Sequence, residues 1–472
     1  MSALGIDIGT SSVKALILSA DGGVQSAAAP LSVSRPKPLW SEQDPADWLR
    51  AVDKAVLSLP ETARRGVEVI GLTGQMHGAV LLGADGHVLR PAILWNDGRS
   101  ADDCRAIEAA VPAARNITLN KMMPGFTAPK LHWVRAHESD AFAATAHVLL
   151  PKDYVRFSLT GELFSDMSDA AGTGWLNIGA RTWSAEMLAA CGLSESHMPV
   201  LVEGPDMTGT LSADIAKIWG VAECPVVAGG GDNAASAVGL GAVEDRNAFL
   251  SLGTSGVYFI ADDAPRGDPA LGVHCFAHAV PERWHRMGVI LSAASAFDTA
   301  ARLTGFGGPD EALAAAAEAQ ADGPYFLPYL SGERTPHDDP MATGAWSGLT
   351  MSTDRGALVR AALEGVAFAL RDCQDALGVA PDDEGQPLPI VGGGARSSLW
   401  LQIIADALRR PLATVAGGEE GAALGAAKLA GLALGWPLTK PNHTAVVRPD
   451  ADLSARHEAW RNLYPALKEA RP

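Results

Sequence analysis

Residues 6–17 read IDIGTSSVKALI, and residues 250–261 read LSLGTSGVYFIA. Set 244 positions apart, both alternate in strand fashion, turn at Gly-Thr-Ser and run on into a second β-rich stretch. Each is a β-hairpin whose turn is a glycine followed by hydroxyls. An echo at about half the chain length predicts two domains of one basic fold, each opening on this hairpin. The junction is expected in GLGAVEDRNAF, which divides the chain into residues 1–243 and 244–472.

The rest of the chain agrees with that division. At 472 residues it is too long for one hydrophobic core. Strand-like runs at 67–72, 226–228 and 389–391 alternate with helical segments at 45–59 and 355–377. Asp44 and Pro45 form a helix start at the first of these, a cap followed by proline at the first helical position. Alternation of this kind in two halves predicts an α/β protein with two layered domains and a cleft between them. The net charge of −17 and the lack of a basic block argue against nucleic acid or an anionic membrane as partner. The opening MSALGIDIGTSSVK has Asp7 inside its apolar run and does not read as a secretion signal. The apolar GAALGAAKLAGLALGW contains Lys428 and reads as a packed helix. Five scattered cysteines without a C-x-x-C pattern point to a reducing cytoplasm, with no disulfide framework and no zinc site.

Chemistry concentrates in a few stretches. In GIDIGTSSVK, backbone N–H groups at the Gly9–Ser12 turn form a concavity for oxygen anions, with hydroxyls from Thr10, Ser11 and Ser12 and a charge from Lys14. Asp7, on the strand entering that turn, would repel a phosphate unless a cation lies between them. Magnesium held mostly through water is the natural choice. The second hairpin has Ser251 in place of Asp7, an asymmetry that fits one ATP gripped by two turns. PVVAGGGDNAASAVG (225–239) is a strand, three glycines and an aspartate opening a helix. The aspartate reads either as a helix cap or as a base on a loop that lets ligand approach closely. A helix N-terminus would also hold Asp232 ionised and weaken it as a base. PIVGGGARSSLW repeats the strand and triple glycine with Ala395 and Arg396 where the first has Asp232 and Asn233, and the two loops read as counterparts. GGGDNA is a weak dinucleotide fingerprint with no acidic residue suitably placed downstream, and no Walker sequence occurs. In GLTGQMHGAV the glycines open the backbone around Gln75, Met76 and His77, which suits a small polyol. AILWNDGRS places Trp95, Asp97 and Arg99 just behind, as a ligand contact or an ion pair at a helix start. YLSGERTPHDDP reads as a mobile cleft rim.

Taken together, IDIGTSSVK, GQMHG, LWNDGR, MMPGFTAPKLHWV, LPKDYVRF, SDMSDAAGT, GGGDNAASAVG, LSLGTSGVYF, LPYLSGERTPH and GGGARS resemble, in this order, the FGGY carbohydrate kinases. Within them, PLWSEQDP, GQMHG and the LSLGTSGVYF context are similar to members acting on D-xylulose. The resemblance spans Leu4 to about Gly435. It implies two actin-like (ribonuclease H-like) ATPase domains flanking a central cleft, the first holding sugar and gripping phosphate, the second holding nucleotide. It implies ATP-dependent phosphorylation of D-xylulose to D-xylulose 5-phosphate, with another ketose such as ribulose or fuculose as the alternative. By resemblance, Asp232 is the catalytic base, Asp7 acts through Mg2+, and Met76, His77, Asp232 and Asn233 contact sugar. Gly9, Thr10, Ser11, Ser12, Lys14, Gly253 and Thr254 grip the phosphates, and Gly393 and Gly394 form the adenosine-side loop. Ala136 and Ala357 stand where the family's signatures carry polar residues, both at helix-surface positions. An actin-like chaperone or filament ATPase would need neither the base nor a polyol pocket. The chain is expected to work in the cytoplasm, alone or as a homodimer.

Overall fold

The computed structural model describes residues 1–381 and 386–471; Pro472, the last residue of the expected second domain, lies outside them. The first hairpin is β1 (Ser2–Ile8) and β2 (Ser12–Ser19), followed by β3 (Val24–Pro30), helix α1 (Pro45–Leu57) and β4 (Val67–Gly74). Asp44 caps α1 by accepting the Ala46 N–H at 2.9 Å, as its sequence position predicts. Further along come α2 (Thr127–His137), α3 (Pro151–Thr160), the short α4 (Met167–Ala171), β5 (Met207–Thr210), β6 (Pro225–Val227), β7 (Gly230–Gly231) and α5 (Asp232–Leu240). The second half opens with β8 (Ala248–Leu252) and β9 (Gly256–Asp262), then β10 (His274–Ala277), β11 (Trp284–Ile290) and α6 (Ala294–Leu303). It closes with α7 (Arg355–Ala376), β12 (Leu388–Val391), α8 (Ser398–Leu408), β13 (Leu412–Val415), α9 (Gly421–Ala433) and β14 (His443–Val447).

Among the described residues these strands build two seven-stranded sheets. The first runs β5-β6-β4-β1-β2-β3, with β7 also paired to β4; the second runs β10-β11-β9-β8-β12-β13-β14. In both, the hairpin is antiparallel and its first strand continues into parallel pairs, β1 with β4 and β8 with β12. The expected duplication is therefore present in the topology. Central β1 is covered on both faces: Leu4, Ile6 and Ile8 are fully buried on one, and Ala3 and Gly5 are buried on the other.

Sheet position corrects one expectation. The strand before GGGARSS is β12, which lies beside β8 as β4 lies beside β1. The counterpart of the 392–394 loop is thus the turn after β4 that carries Met76 and His77. A Cβ on Gly74 would meet the Ile8 carbonyl at 2.9 Å, and one on Gly392 would meet the Leu252 carbonyl at 2.5 Å. The counterpart of VAGGGDNAASAVG (227–239) is VAGGEEGAALGAA (415–427), after β13. Gly229 and Gly417 both take positive φ, 80° and 70°. Glu420 occupies the place of Asp232.

The two helices after these loops, α5 and α9, cross each other between the halves, and α9 lies on β1 and β4 of the first sheet. Space is minimal there. A Cβ on Gly5 would sit 2.1 Å from the Ala423 carbonyl, on Gly71 2.1 Å from that of Ala426, and on Gly425 1.7 Å from that of Ala235. The GAALGAAKLAG helix is a packed internal helix, as expected, and no helix among the described residues is long and apolar enough to cross a membrane.

Candidate active site

Three parallel strand ends build the floor of the cleft. Asp7 on β1 is in register with Thr73 on β4, and Thr73 with Gly230 on β7. Neighbouring strands lie about 4.8 Å apart, which puts the β1 and β7 backbones roughly 10 Å from each other with β4 between. Ligands of open α/β sheets bind at such carboxyl ends. Gly231 is the cap of α5 and Asp232 its first helical residue, which disposes of the cap reading for Asp232.

Asp232 Oδ1 accepts the Asn233 N–H at 2.7 Å and the Asn233 Nδ2 at 3.0 Å; no bond to Oδ2 is made among the described residues. Asn233, expected against sugar, thus spends one donor on orienting the carboxylate. Burial raises the Asp232 pKa to about 6, against the lowering effect of the Asn233 bonds. The expected weakening by the helix N-terminus is overridden, because desolvation at the cleft floor outweighs two hydrogen bonds. Asp7 is raised further, to about 7, by burial and then by the charge of Asp232, with Lys14 opposing. Its Oδ1 is buried without a hydrogen-bond partner. An orphaned carboxylate oxygen within electrostatic reach of a second carboxylate fits a site for a hard divalent cation.

Two expected phosphate contacts are otherwise engaged. The Thr10 hydroxyl donates to Gln75 Oε1 at 3.0 Å and accepts from Trp95 Nε1 at 3.0 Å. Gln75 in turn donates to Gln43 Oε1 at 2.9 Å, and Gln43 Nε2 donates to the Thr10 carbonyl at 2.8 Å. Lys14, across the hairpin from Asp7, pairs with Glu420 at 3.1 Å. Its charge still reaches Asp7. Ser11 is exposed and Ser12 half-buried beside the turn that the Gly9 N–H closes on the Ser12 carbonyl at 3.1 Å. On the other wall, Gly253 closes on the Ser255 carbonyl at 3.0 Å, and the exposed Thr254 is seated by its carbonyl on the Ala293 N–H at 2.9 Å. Gly393 has open space where a Cβ would stand, so a flat ligand can lie against its backbone, while Gly394 rests on Leu252.

Met76 is buried against the 229–232 loop, its Cγ 2.9 Å from where a Cβ of Gly231 would lie. His77 adopts φ 69° and places Nδ1 2.6 Å from the Gly172 carbonyl. A carbonyl only accepts, so Nδ1 carries the proton and Nε2 is left as an acceptor. Burial is the main cause that lowers the His77 pKa to about 3, and the ring is neutral at any working pH. Phe126 flanks it at 5.1 Å. Met76, His77 and Asp232 are thus brought together. Asp97 and Arg99 are not part of this group: Arg99 binds both Asp97 oxygens at 2.9 and 2.7 Å and Glu42 at 2.8 Å, a structural brace. Trp95 is 48% exposed, on the rim above Thr10. In the 329–340 loop two charged residues are engaged by the fold. Glu333 is buried and accepts the Leu291 N–H at 3.0 Å, and Arg334 reaches His274 Nε2 at 3.2 Å. Gln75 and Trp95, read from the sequence as ligand-side residues, instead hold the Thr10 hydroxyl, and the part of Gly172 was missed, since each acts through a partner distant in sequence.

The sequence matches the FGGY family of carbohydrate kinases, N-terminal domain, over residues 2–239 and its C-terminal domain over residues 248–434. The chain belongs to the FGGY family of carbohydrate kinases. This kinase is 50% identical to the xylulose kinase of Escherichia coli (strain K12), over 98% of its own length and 99% of that relative. Its fold superposes with a TM-score of 0.94 on the xyloylose kinase of Brucella ovis, at 48% identity and full coverage of both chains. The xylulose kinase of Rhodospirillum rubrum gives 0.91 at 31% identity, covering 99% of each. The two domains are accordingly actin-like, and the enzyme is a sugar kinase that uses ATP.

Proposed function

We infer that this kinase transfers the γ-phosphoryl group of ATP to the C5 hydroxyl of D-xylulose, giving D-xylulose 5-phosphate and ADP. The observation that carries the reading is the likeness to xylulose kinases over the whole chain, at 50% identity. The junction at 243/244 separates a half that binds sugar and phosphate from one that binds nucleotide. In the transfer, the C5 oxygen forms a bond to the γ-phosphorus as the bond to the bridging β–γ oxygen breaks, and Asp232 Oδ2 takes the hydroxyl proton. Phosphoryl transfer passes through a loose transition state in which positioning counts for more than covalent chemistry. Asn233 holds the carboxylate, Met76 closes one side of the acceptor, and neutral His77 Nε2 accepts from a sugar hydroxyl. A pKa near 6 makes Asp232 a better base than an ordinary carboxylate, yet leaves it largely ionised at neutral pH. Asp7 is the residue to hold Mg2+, mostly through water; when bound, the ion neutralises charge on the phosphates. The turns at Gly9–Ser12 and Gly253–Thr254 grip those phosphates by backbone N–H groups, and Gly393–Gly394 lies along the adenosine. Five buried, unpaired cysteines suit a cytoplasmic enzyme. The test is ADP release across a panel of ketoses with identification of the product. Turnover of ribulose or fuculose above D-xylulose would overturn the substrate.

A further inference from the structure

The base loop and the sugar-side histidine are held by one short element. Helix α4 follows Asp166, whose Oδ2 accepts the Ser168 N–H at 2.7 Å and also the Ser168 hydroxyl. With its proton so committed, Ser168 Oγ can only accept, and it accepts the Gly231 N–H at 3.0 Å. Gly231 immediately precedes Asp232. About 6 Å further along the helix, the Gly172 carbonyl holds His77 Nδ1 at 2.6 Å. A side chain at 172 would collide with the His77 ring, at 2.5 Å from Cε1, and with Met76 Cε at 2.9 Å. The helix itself is anchored by charge. Lys152 lies 2.7 Å from Asp166, 2.5 Å from Asp153 and 3.4 Å from Asp169, and Arg156 lies 3.1 Å from Asp153. Ser168 and all five charged residues are fully buried.

We propose that α4 is a positioning strut that fixes the base loop relative to the sugar-side histidine, with Ser168 acting on catalysis through the Gly231 N–H. This rests on the reading of Asp232 as the base. Glycine has the widest conformational freedom of any residue, so the bond to Ser168, added to the pairing of Gly231 with Gly74 on β4, restricts the residue that aims the carboxylate. Misplacement by about 1 Å costs phosphoryl transfer on the order of a hundredfold, while ground-state binding is nearly indifferent to it.

The experiment compares Ser168→Ala, Ser168→Cys, Asp232→Asn and the double variant Ser168→Ala/Asp232→Asn. Cysteine fills the space with a poorer acceptor, which separates loss of the bond from loss of volume. Both serine variants should lower kcat roughly tenfold to a hundredfold, with KM for D-xylulose and ATP within about twofold and faster hydrogen exchange at the Gly231 amide. In the Asp232→Asn background, Ser168→Ala should cost nothing further, since its effect passes through the missing base. Unchanged kcat in Ser168→Ala, or the same fractional loss in both backgrounds, overturns the strut. Asp232→Asn retaining more than about a tenth of activity, against the loss expected for a base, overturns the base reading instead.

Discussion

Asp7→Asn should inactivate the kinase and, without ligands, make it more stable, by an amount that depends on pH. Burial and the neighbouring Asp232 raise the Asp7 pKa from 3.8 to about 7. The folded chain therefore binds this proton more tightly than the unfolded chain does. Stability linked to it is fully present below the unfolded pKa and is lost as pH rises from about 4 through about 7. At ~1.36 kcal/mol per unit, the ionised carboxylate costs the ligand-free fold on the order of 4 kcal/mol above pH 7, and roughly half that if solvent at the cleft relaxes the penalty. At about pH 5 the same cost is only about 1–2 kcal/mol, because the folded state still holds its proton. A buried amide brings its own penalty, but that penalty does not vary with pH. The diagnostic is thus the change in the gap between mutant and wild type. Between about pH 5 and pH 8 it should widen in the mutant's favour by about 1–3 kcal/mol, or roughly 2–12 °C in Tm for domains of this size. Thermal unfolding in chelator, without nucleotide, measures it. A gap that stays constant or narrows as pH rises would refute the burial argument for Asp7.

Three further outcomes are expected. Asp232→Asn should lower kcat by ~10²–10⁴ while calorimetry finds ATP affinity unchanged; turnover above about a tenth of wild type contradicts the base. Since Asp232 must be ionised to act, kcat/KM for D-xylulose should fall as pH drops through about 6, and an acid limb near the ordinary value of 3.8 would show that burial does not govern it. His77→Ala should cut kcat/KM for D-xylulose roughly tenfold to a hundredfold, because a hydroxyl loses its buried acceptor, and should narrow the preference over ribulose; an equal loss on every ketose marks the histidine as support only.

The two hairpins were readable because alternation and a Gly-Thr-Ser turn are local signals, and the parallel strand between them was readable from apolar runs. Residues whose roles depend on the strand order were not. Nothing in GGGARSS says that its strand lies next to the hairpin rather than one place further out, so its pairing with GGGDNAA was misjudged. Thr10 and Lys14 have the right chemistry for phosphate, but Gln75 lies 65 positions from Thr10 and engages its hydroxyl. Glu420 lies far beyond Lys14 and engages its charge. Asp97 and Arg99 offered an even choice that only Glu42 resolves. The 329–340 segment read as a mobile rim, yet its Glu333 points inward to the backbone N–H groups of Leu291 and Arg334, which a linear reading does not reveal.

Helix α9 has a bearing on how such enzymes can be recombined. It is encoded late in the second half but covers one face of the first half's sheet, against Gly5 and Gly71, where a single methyl would collide. A chimaera joined once, in the 240s, would lay one parent's helix on the other parent's strands and stake its folding on their fit. Two crossovers avoid this. Exchanging the internal cassette from β8 through β13 leaves α5, α9 and the first sheet from a single parent. The 253–254 turn and the 392–394 loop can then be traded between relatives with α9 still on the strands it evolved with, and the neighbours that change are those such as Phe276, 6.3 Å from the His77 ring, that travel with the cassette.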